Sequence, residues 1–210
     1  MKLIPEWYEH QYCLIAWPCN KDLYGKIINK ARDEVANVIN EIAKTEHVIV
    51  LSNKEDIYEI QNKTDPKNID IVECKLDDSW MRDIAPIFYN EDEKLKSISF
   101  EFNGYGKYPD YLNDNKISKF ISNYLNIPTK ISELVIEGGA ITYDDKKNLF
   151  STKNVIFNKN RKQKHNSEYI IKELKLLFDL NYIFLFENGL MEDDTDCLLY
   201  TSDAADELLG

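Results

Sequence analysis

Asp77-Asp78-Ser79-Trp80-Met81-Arg82-Asp83-Ile84-Ala85-Pro86 places three acids, an arginine and a tryptophan within ten residues and stops at a proline. Runs of strand-forming residues flank it: Ile69-Asp70-Ile71-Val72 before and Ile87-Phe88-Tyr89 after. It therefore reads as a loop at the end of a strand. Carboxylates beside an indole on such a loop suit a planar cation, and loops carried by rigid elements are where sites collect. The same residues also permit a plainer reading, with Arg82 paired to a neighbouring acid and Trp80 filling the core.

Working upstream, Tyr12 to Trp17 is a short apolar strand ended by Pro18. Trp7 and Trp17 either line a pocket or belong to the core. Residues 22–45 read as a helix, because Ile27, Ile28, Ala31, Val35, Val38, Ile39 and Ile42 recur at three- and four-residue steps. Asn20 or Asp22 can cap it. A strand from His47 to Leu51, a shorter helix over 55–62 and a strand over 69–74 then lead into the opening motif.

Downstream, 87–89 and 98–102 form a hairpin around the charged turn 90–96. Asn103-Gly104-Tyr105-Gly106 breaks the chain. A helix over 114–125 ends at Pro128, and a strand over 131–136 runs into Glu137-Gly138-Gly139. The order then repeats. Residues 140–143 and 149–151 make a second hairpin around 144–148. Val155-Ile156-Phe157 follows; 158–166 then reads as a polar stretch, 167–178 as a helix and 182–186 as a strand. Glu187-Asn188-Gly189 follows, then Glu192-Asp193-Asp194-Thr195-Asp196.

Acidic loops thus recur near positions 83, 137 and 196, roughly 50–60 residues apart. Modules of that period suggest units set around a shared axis. If they are related by rotation, equivalent loops converge at one end and bring distant carboxylates together. Clustered carboxylates repel one another unless a cation is present. A guanidinium fits them bidentately, an oxygen-only Mg²⁺ or Ca²⁺ site competes with it, and Trp80 favours the planar organic cation.

Bulk properties narrow the field. The 210 residues suffice for a sizeable core, 43% are hydrophobic and 30% charged, and the net charge is −11. That charge argues against nucleic acid and an anionic membrane surface as partners. Pro5 and Glu6 interrupt any targeting segment at the start, and no apolar run approaches the roughly 18 residues of a membrane span. Cys13, Cys19, Cys74 and Cys197 lack C-x-x-C spacing, and His10, His47 and His165 lie far apart. No metal or other cofactor is expected, and reduced thiols in a cytoplasmic protein are.

Several stretches together resemble one family. Pro5-Glu6-Trp7, Trp17-Pro18, 78–86, Phe102-Asn103-Gly104-Tyr105-Gly106, Ile136-Glu137-Gly138-Gly139-Ala140, Asn158-Lys159-Asn160-Arg161 and Glu187-Asn188-Gly189-Leu190 ahead of Asp193–Asp196 resemble the motifs of the agmatine deiminase and bacterial peptidyl-arginine deiminase family. They follow its order over about residues 4–196. The resemblance implies an α+β fold, the five-bladed α/β-propeller (pentein) built of ββαβ modules, here incomplete at about three modules. It also implies a hydrolase in which a cysteine thiolate attacks a guanidinium carbon, ammonia leaves and water hydrolyses the covalent intermediate. Agmatine would give N-carbamoylputrescine, a step of putrescine biosynthesis; an arginine side chain would give citrulline.

Carried over by motif, Asp83 holds guanidinium nitrogens, Trp80 lines the pocket and Glu137 orients the catalytic histidine. Gly138 and Gly139 let the backbone turn tightly, Asp196 supports the site and Arg82 is structural. The match then stops. After Asp196 the family continues with a histidine and a second aspartate, whereas this chain reads Cys197-Leu198-Leu199-Tyr200. The nucleophilic cysteine belongs nearer the end of a full-length member, and Cys13, Cys19, Cys74 and Cys197 have no neighbour that would activate them. Residues 1–196 are therefore expected to be the N-terminal part of one deiminase domain, inactive alone, and 197–210 a non-native tail resembling translated sequencing-adapter read-through. The expected partner is a small cationic guanidino compound, with a homo-oligomer allowed at full length. A reading from another class is a non-catalytic guanidinium- or polyamine-binding module.

Overall fold

A computed structural model of the chain describes residues 2–5, 7–189 and 195. It divides into two units, one of Glu9–Met81 with Asp110–Asp114, the other of Met1–Tyr8, Arg82–Pro109 and Asn115–Gly210. The first strand, β1 (Lys2–Leu3), belongs to the larger unit and is described with it.

The smaller unit runs β2 (Tyr12–Ala16), α1 (Lys21–Tyr24), α2 (Ile28–Ile42), β3 (His47–Ser52), α3 (Ile57–Lys63) and β4 (Ile69–Glu73). Its strands pair in the order β2-β3-β4, all parallel, with Leu14 beside Ile49 and Ile49 beside Asp70. Parallel neighbours need crossover connections, and α2 and α3 supply them. Central β3 is buried from Val48 to Ser52, which accounts for an unbroken apolar run where a half-covered strand would alternate. Trp17 is a core residue at 0% exposure, packed with Ala36, Ile39, Val48, Val50 and Ile60, whereas Trp7 is 66% exposed.

The helix expected over 22–45 is interrupted. Asn20 caps α1 by accepting the Leu23 N–H at 3.0 Å. Gly25 then takes φ +51°, and a 3-10 turn over Gly25–Ile27 precedes α2. The restart rotates the buried face onto Arg32, Ala36 and Ile39 and leaves Ile27 and Val38 exposed. Arg32 is satisfied inside by Asp56 at 2.8 Å, Glu59 at 2.5 Å and the Pro18 carbonyl at 2.9 Å.

The larger unit holds two mixed sheets. After α4 (Met81–Ile84), β5 (Ile87–Glu91) and β6 (Lys94–Glu101) form a hairpin. Its turn is tighter than expected: only Asp92 and Glu93 lie between the strands, both left-handed (φ 53° and 59°), the geometry a two-residue hairpin turn demands. α5 (Ile117–Tyr124) returns the chain to β7 (Thr129–Val135), parallel to β6, and β1 pairs antiparallel on the far side of β5.

β8 (Thr142–Tyr143) and β9 (Asn148–Thr152) form the second hairpin. α6 (Lys153–Ile156) and α7 (Ser167–Phe178) follow, and β10 (Tyr182–Phe186) lies parallel to β9. Hairpin, helix and parallel third strand therefore occur twice with one topology, β5-β6-β7 and β8-β9-β10. Val155 and Ile156 close α6. Thr152 Oγ1 accepts the Val155 N–H at 3.2 Å and caps the helix. The chain over its described residues is α+β with parallel and mixed sheets, none of which closes on itself.

Candidate functional site

In the larger unit the site gathers where β7 ends. Val135 leads through Ile136 to Glu137, and a 3-10 turn over Gly138–Ala140 follows. The Gly139 N–H donates to Asp83 Oδ1 at 2.9 Å. Gly138 is required by proximity: a Cβ there would collide with the Arg82 backbone carbonyl. Asp83 Oδ2 accepts a 2.7 Å hydrogen bond from the Tyr105 hydroxyl. Burial pushes the Asp83 carboxyl up, against the pull of the Tyr105 and Gly139 donors and the charges of Arg82 and Arg161.

Glu137 is 0% exposed, and so is Arg161. Arg161 Nε donates to both carboxylate oxygens of Glu137, at 2.9 and 3.0 Å. Arg161 Nη2 donates to the Thr195 carbonyl at 2.6 Å, and the Arg161 carbonyl accepts from Asn103 Nδ2 at 2.8 Å. One arginine thus joins the Glu137 loop, the 103–106 turn and the Thr195 carbonyl. Burial raises the Glu137 pKa, and Arg161 opposes the rise. Local desolvation lowers the Arg82 guanidinium from its usual range, although the residue as a whole is exposed, with Tyr143 and Asp83 opposing.

The smaller unit carries the first part of the opening motif. Trp80 is 40% exposed, and its indole N–H donates to Asp78 Oδ2 at 3.0 Å. The Ser79 N–H donates to Asp78 Oδ1 at 2.8 Å, and the Ser79 and Tyr24 hydroxyls share a 2.8 Å hydrogen bond. Below this loop two aspartates clasp each other's backbones. Asp114 accepts the N–H groups of Asp77 (2.8 Å) and Asp78 (3.1 Å), while Asp77 accepts the Asn113 N–H and side-chain amide, both at 2.7 Å. Burial and the neighbouring Asp77 and Asp78 push Asp114 up to about 7. Cys19 and Cys74 sit in the same unit, and burial drives their thiols up to about 12 and about 11. Burial also raises Cys13. None is a thiolate near neutrality.

Of the residues singled out from sequence, Asp83, Glu137, Gly138 and Gly139 come together in one place, and Trp80 is presented on an ordered loop of the smaller unit. Asp196 lies outside the described residues; Thr195, beside it in sequence, is tied to Glu137 through Arg161. Sequence reasoning assigned no role to Tyr105, Arg161 or Asp114. The signal for Tyr105 and Arg161 was present, since each sits in a quoted motif, but a hydrophilic stretch such as 158–166 gives no sign that its arginine is the buried one. Among the described residues no group of His, Cys, Asp or Glu is arranged to hold a metal ion, and no helix is long and apolar enough to cross a membrane.

These features define a class: an α+β protein of repeated hairpin–helix–strand units with a buried and a half-buried carboxylate gathered at the loop after a parallel strand. The chain belongs to the Porphyromonas-type peptidyl-arginine deiminase family, whose profile matches residues 2–199. It is 29% identical over 203 residues to an agmatine deiminase of Medicago truncatula, covering 90% of this chain and 54% of that one. A C. jejuni agmatine deiminase with substrate bound superposes with a TM-score of 0.85 at 27% identity, over 94% of this chain and 60% of that one. The agmatine deiminase of Enterococcus faecalis reaches 0.87 over 93% and 55%, and at 18% identity shows the fold alone. The chain spans about half the length of the curated relatives it matches.

Proposed function

We propose that this chain is the substrate-holding, N-terminal part of a hydrolase that deiminates a small guanidino compound, agmatine first among the candidates. The observation that carries the reading is the Asp83–Glu137 cluster. Among the described residues Asp83 takes one protein donor on each oxygen, and a carboxylate offers about four acceptor positions, so each oxygen has room for a guanidinium N–H beside it. Glu137, buried and anchored by Arg161, is the carboxylate that orients and charges a histidine supplied by the rest of the protein.

The chemistry is then a thiolate attack on the guanidinium carbon. A C–S bond forms, the C–N bond to the leaving nitrogen breaks, and the histidine donates the proton with which ammonia departs. Water, deprotonated by the same histidine, hydrolyses the amidino-thioether. Agmatine and water become N-carbamoylputrescine and ammonia. The three described cysteines, with their raised pKa values, are unsuited to that attack. The chain by itself is inactive in this reading, and the nucleophile lies in sequence beyond it. The finer architecture proposed is a five-module propeller to which residues 1–196 contribute about three modules, in a cytoplasmic protein that assembles into oligomers when complete.

The family description favours one second reading, in which the guanidino group belongs to free or peptidyl arginine. One experiment separates them. The remaining reading frame is recovered, and ammonia release by the complete protein is measured with agmatine, arginine and an arginyl peptide. Release from agmatine at the highest kcat/KM supports the first reading. Release from none of the three, or a complete frame with neither His-x-Asp nor a C-terminal Cys, sinks both and leaves a non-catalytic guanidinium-binding module.

A further inference from the structure

Within the turn that follows β6, three successive residues are left-handed: Gly104 at φ +63°, Tyr105 at +58° and Gly106 at +71°. Glycine adopts that region freely, whereas a tyrosine there is strained and persists only when its surroundings hold it. The surroundings of Tyr105 do so. The residue is 4% exposed, its ring makes an edge contact with Phe102 at 5.2 Å, and a second ring, Tyr108, lies edge-on at 6.1 Å. At Gly106 the Asn160 backbone carbonyl packs so closely that a Cβ would overlap it. The strained turn delivers one polar atom, the Tyr105 hydroxyl, to Asp83 Oδ2 at 2.7 Å, while the Gly139 N–H takes Oδ1.

We infer that Tyr105 is a positioning residue for substrate binding, fixing the plane of the Asp83 carboxylate so that its two oxygens meet the fork of a guanidinium together. This rests on the deiminase reading above. A carboxylate held at one oxygen can swing about its Cβ–Cγ bond; one held at both by donors from separate elements cannot turn without losing a bond. A guanidinium offers its N–H groups in a rigid plane, so bidentate pairing requires the acceptor plane to be set beforehand. The groups facing Asp83 are Tyr105, Gly139, Arg82, Arg161 and Glu137. Of these, the hydroxyl can be removed without altering any charge or the ring packing.

The test is Tyr105→Phe in the complete protein encoded by the full reading frame. The expected result is a rise in KM for the guanidino substrate of about tenfold or more, the scale of a lost hydrogen bond to a charged group, with kcat within about a factor of three. The acid limb of kcat/KM should also move to higher pH, because Asp83 loses a donor that favours its charged form. Unchanged KM together with an unmoved acid limb overturns the inference, and so does an equal loss of kcat and kcat/KM. A second measurement stands apart from the enzymatic reading. In ¹³C-carboxyl NMR with Asp83 assigned by the signal lost in Asp83→Asn, the pKa of Asp83 should rise in Tyr105→Phe. If the complete protein deiminates nothing but the pKa rises, the hold of Tyr105 on Asp83 stands and the deiminase reading falls. If deimination is normal and the pKa does not move, the inference falls alone.

Discussion

Arg161 and Glu137, 24 residues apart and both excluded from solvent, meet through a single nitrogen: Nε of the arginine lies 2.9 and 3.0 Å from the two carboxylate oxygens. Burying two charges is costly, and their attraction offsets that cost only while both are present. The pair is therefore a weak source of net stability but a sensitive one. Its second function is mechanical, since Nη2 of the same guanidinium reaches the Thr195 carbonyl.

Removing the cation alone should therefore be severe. Arg161→Met leaves Glu137 buried and unpaired and is expected to cost about 3–5 kcal/mol of folding stability. Urea denaturation followed by circular dichroism reads this directly. The double replacement Arg161→Met with Glu137→Leu should recover much of the loss, because no uncompensated charge remains. A single variant as stable as the wild type would contradict the described pairing.

The strained turn makes a second prediction. Gly106→Ala adds a methyl group both at φ +71° and against the Asn160 carbonyl. The loss should be at least about 1–3 kcal/mol, accompanied by weaker substrate binding in the complete protein. Gly25→Ala is the control: φ is also positive there but nothing lies within 4 Å, so only the conformational cost applies. A Gly106→Ala variant as stable as the wild type would show that neither the close approach nor the positive φ matters there.

Asp114 predicts a pH dependence. Its pKa is raised from 3.8 to about 7, so the folded state binds its proton more tightly than the unfolded state does. Between those two values the native form carries the extra proton, and raising the pH releases it at a cost. Stability from this group is therefore highest below pH 4, falls as pH rises and is lost by about pH 7. Asp114→Asn keeps an acceptor for one backbone N–H and cannot ionise. The difference in stability between wild type and Asp114→Asn should shift in favour of the variant between pH 4 and pH 7. A pH-independent difference would mean that Asp114 titrates normally.

Asp83→Asn bears on chemistry. One carboxylate oxygen becomes an amide donor facing the substrate's own donors, so kcat/KM of the complete protein for its guanidino substrate should fall about a hundredfold or more. Near-normal turnover in this variant refutes a guanidinium-holding role for Asp83.

Tyr182, Phe184 and Phe186 alternate along β10 and are 65%, 47% and 54% exposed, with Phe184 stacked on Phe150 at 5.1 Å. β10 is also the outer strand of its sheet. An exposed apolar edge of this kind pairs readily with other chains. The 210-residue polypeptide should self-associate in light scattering, and Phe184→Lys should reduce the association. A monodisperse wild-type sample would refute this.

Much of the architecture was legible because it is local. The period of the helices, the position of α7 and β10, the two hairpins and the recurrence of hairpin, helix and strand all follow from residues a few positions apart. The motif at 77–86 and the Glu137-Gly138-Gly139 run could be singled out as candidates for the same reason. A misreading arose where a single backbone event outweighed periodicity: Gly25 breaks the first long helix.

What only the tertiary structure decided is the choice of partners. Arg161 stands in a polar stretch that looks solvated, yet it is the buried counter-ion of Glu137. Tyr105 could have been ordinary core, yet its hydroxyl meets Asp83 22 residues away. Asp114 closes on Asp77 across 37 residues. In each case the cost of leaving a buried charge or hydroxyl unpaired selects the partner, and that cost exists only once distant segments are packed together. The sequence by itself determined which carboxylates and which ring were available; packing determined which of them are held, by what and in which orientation.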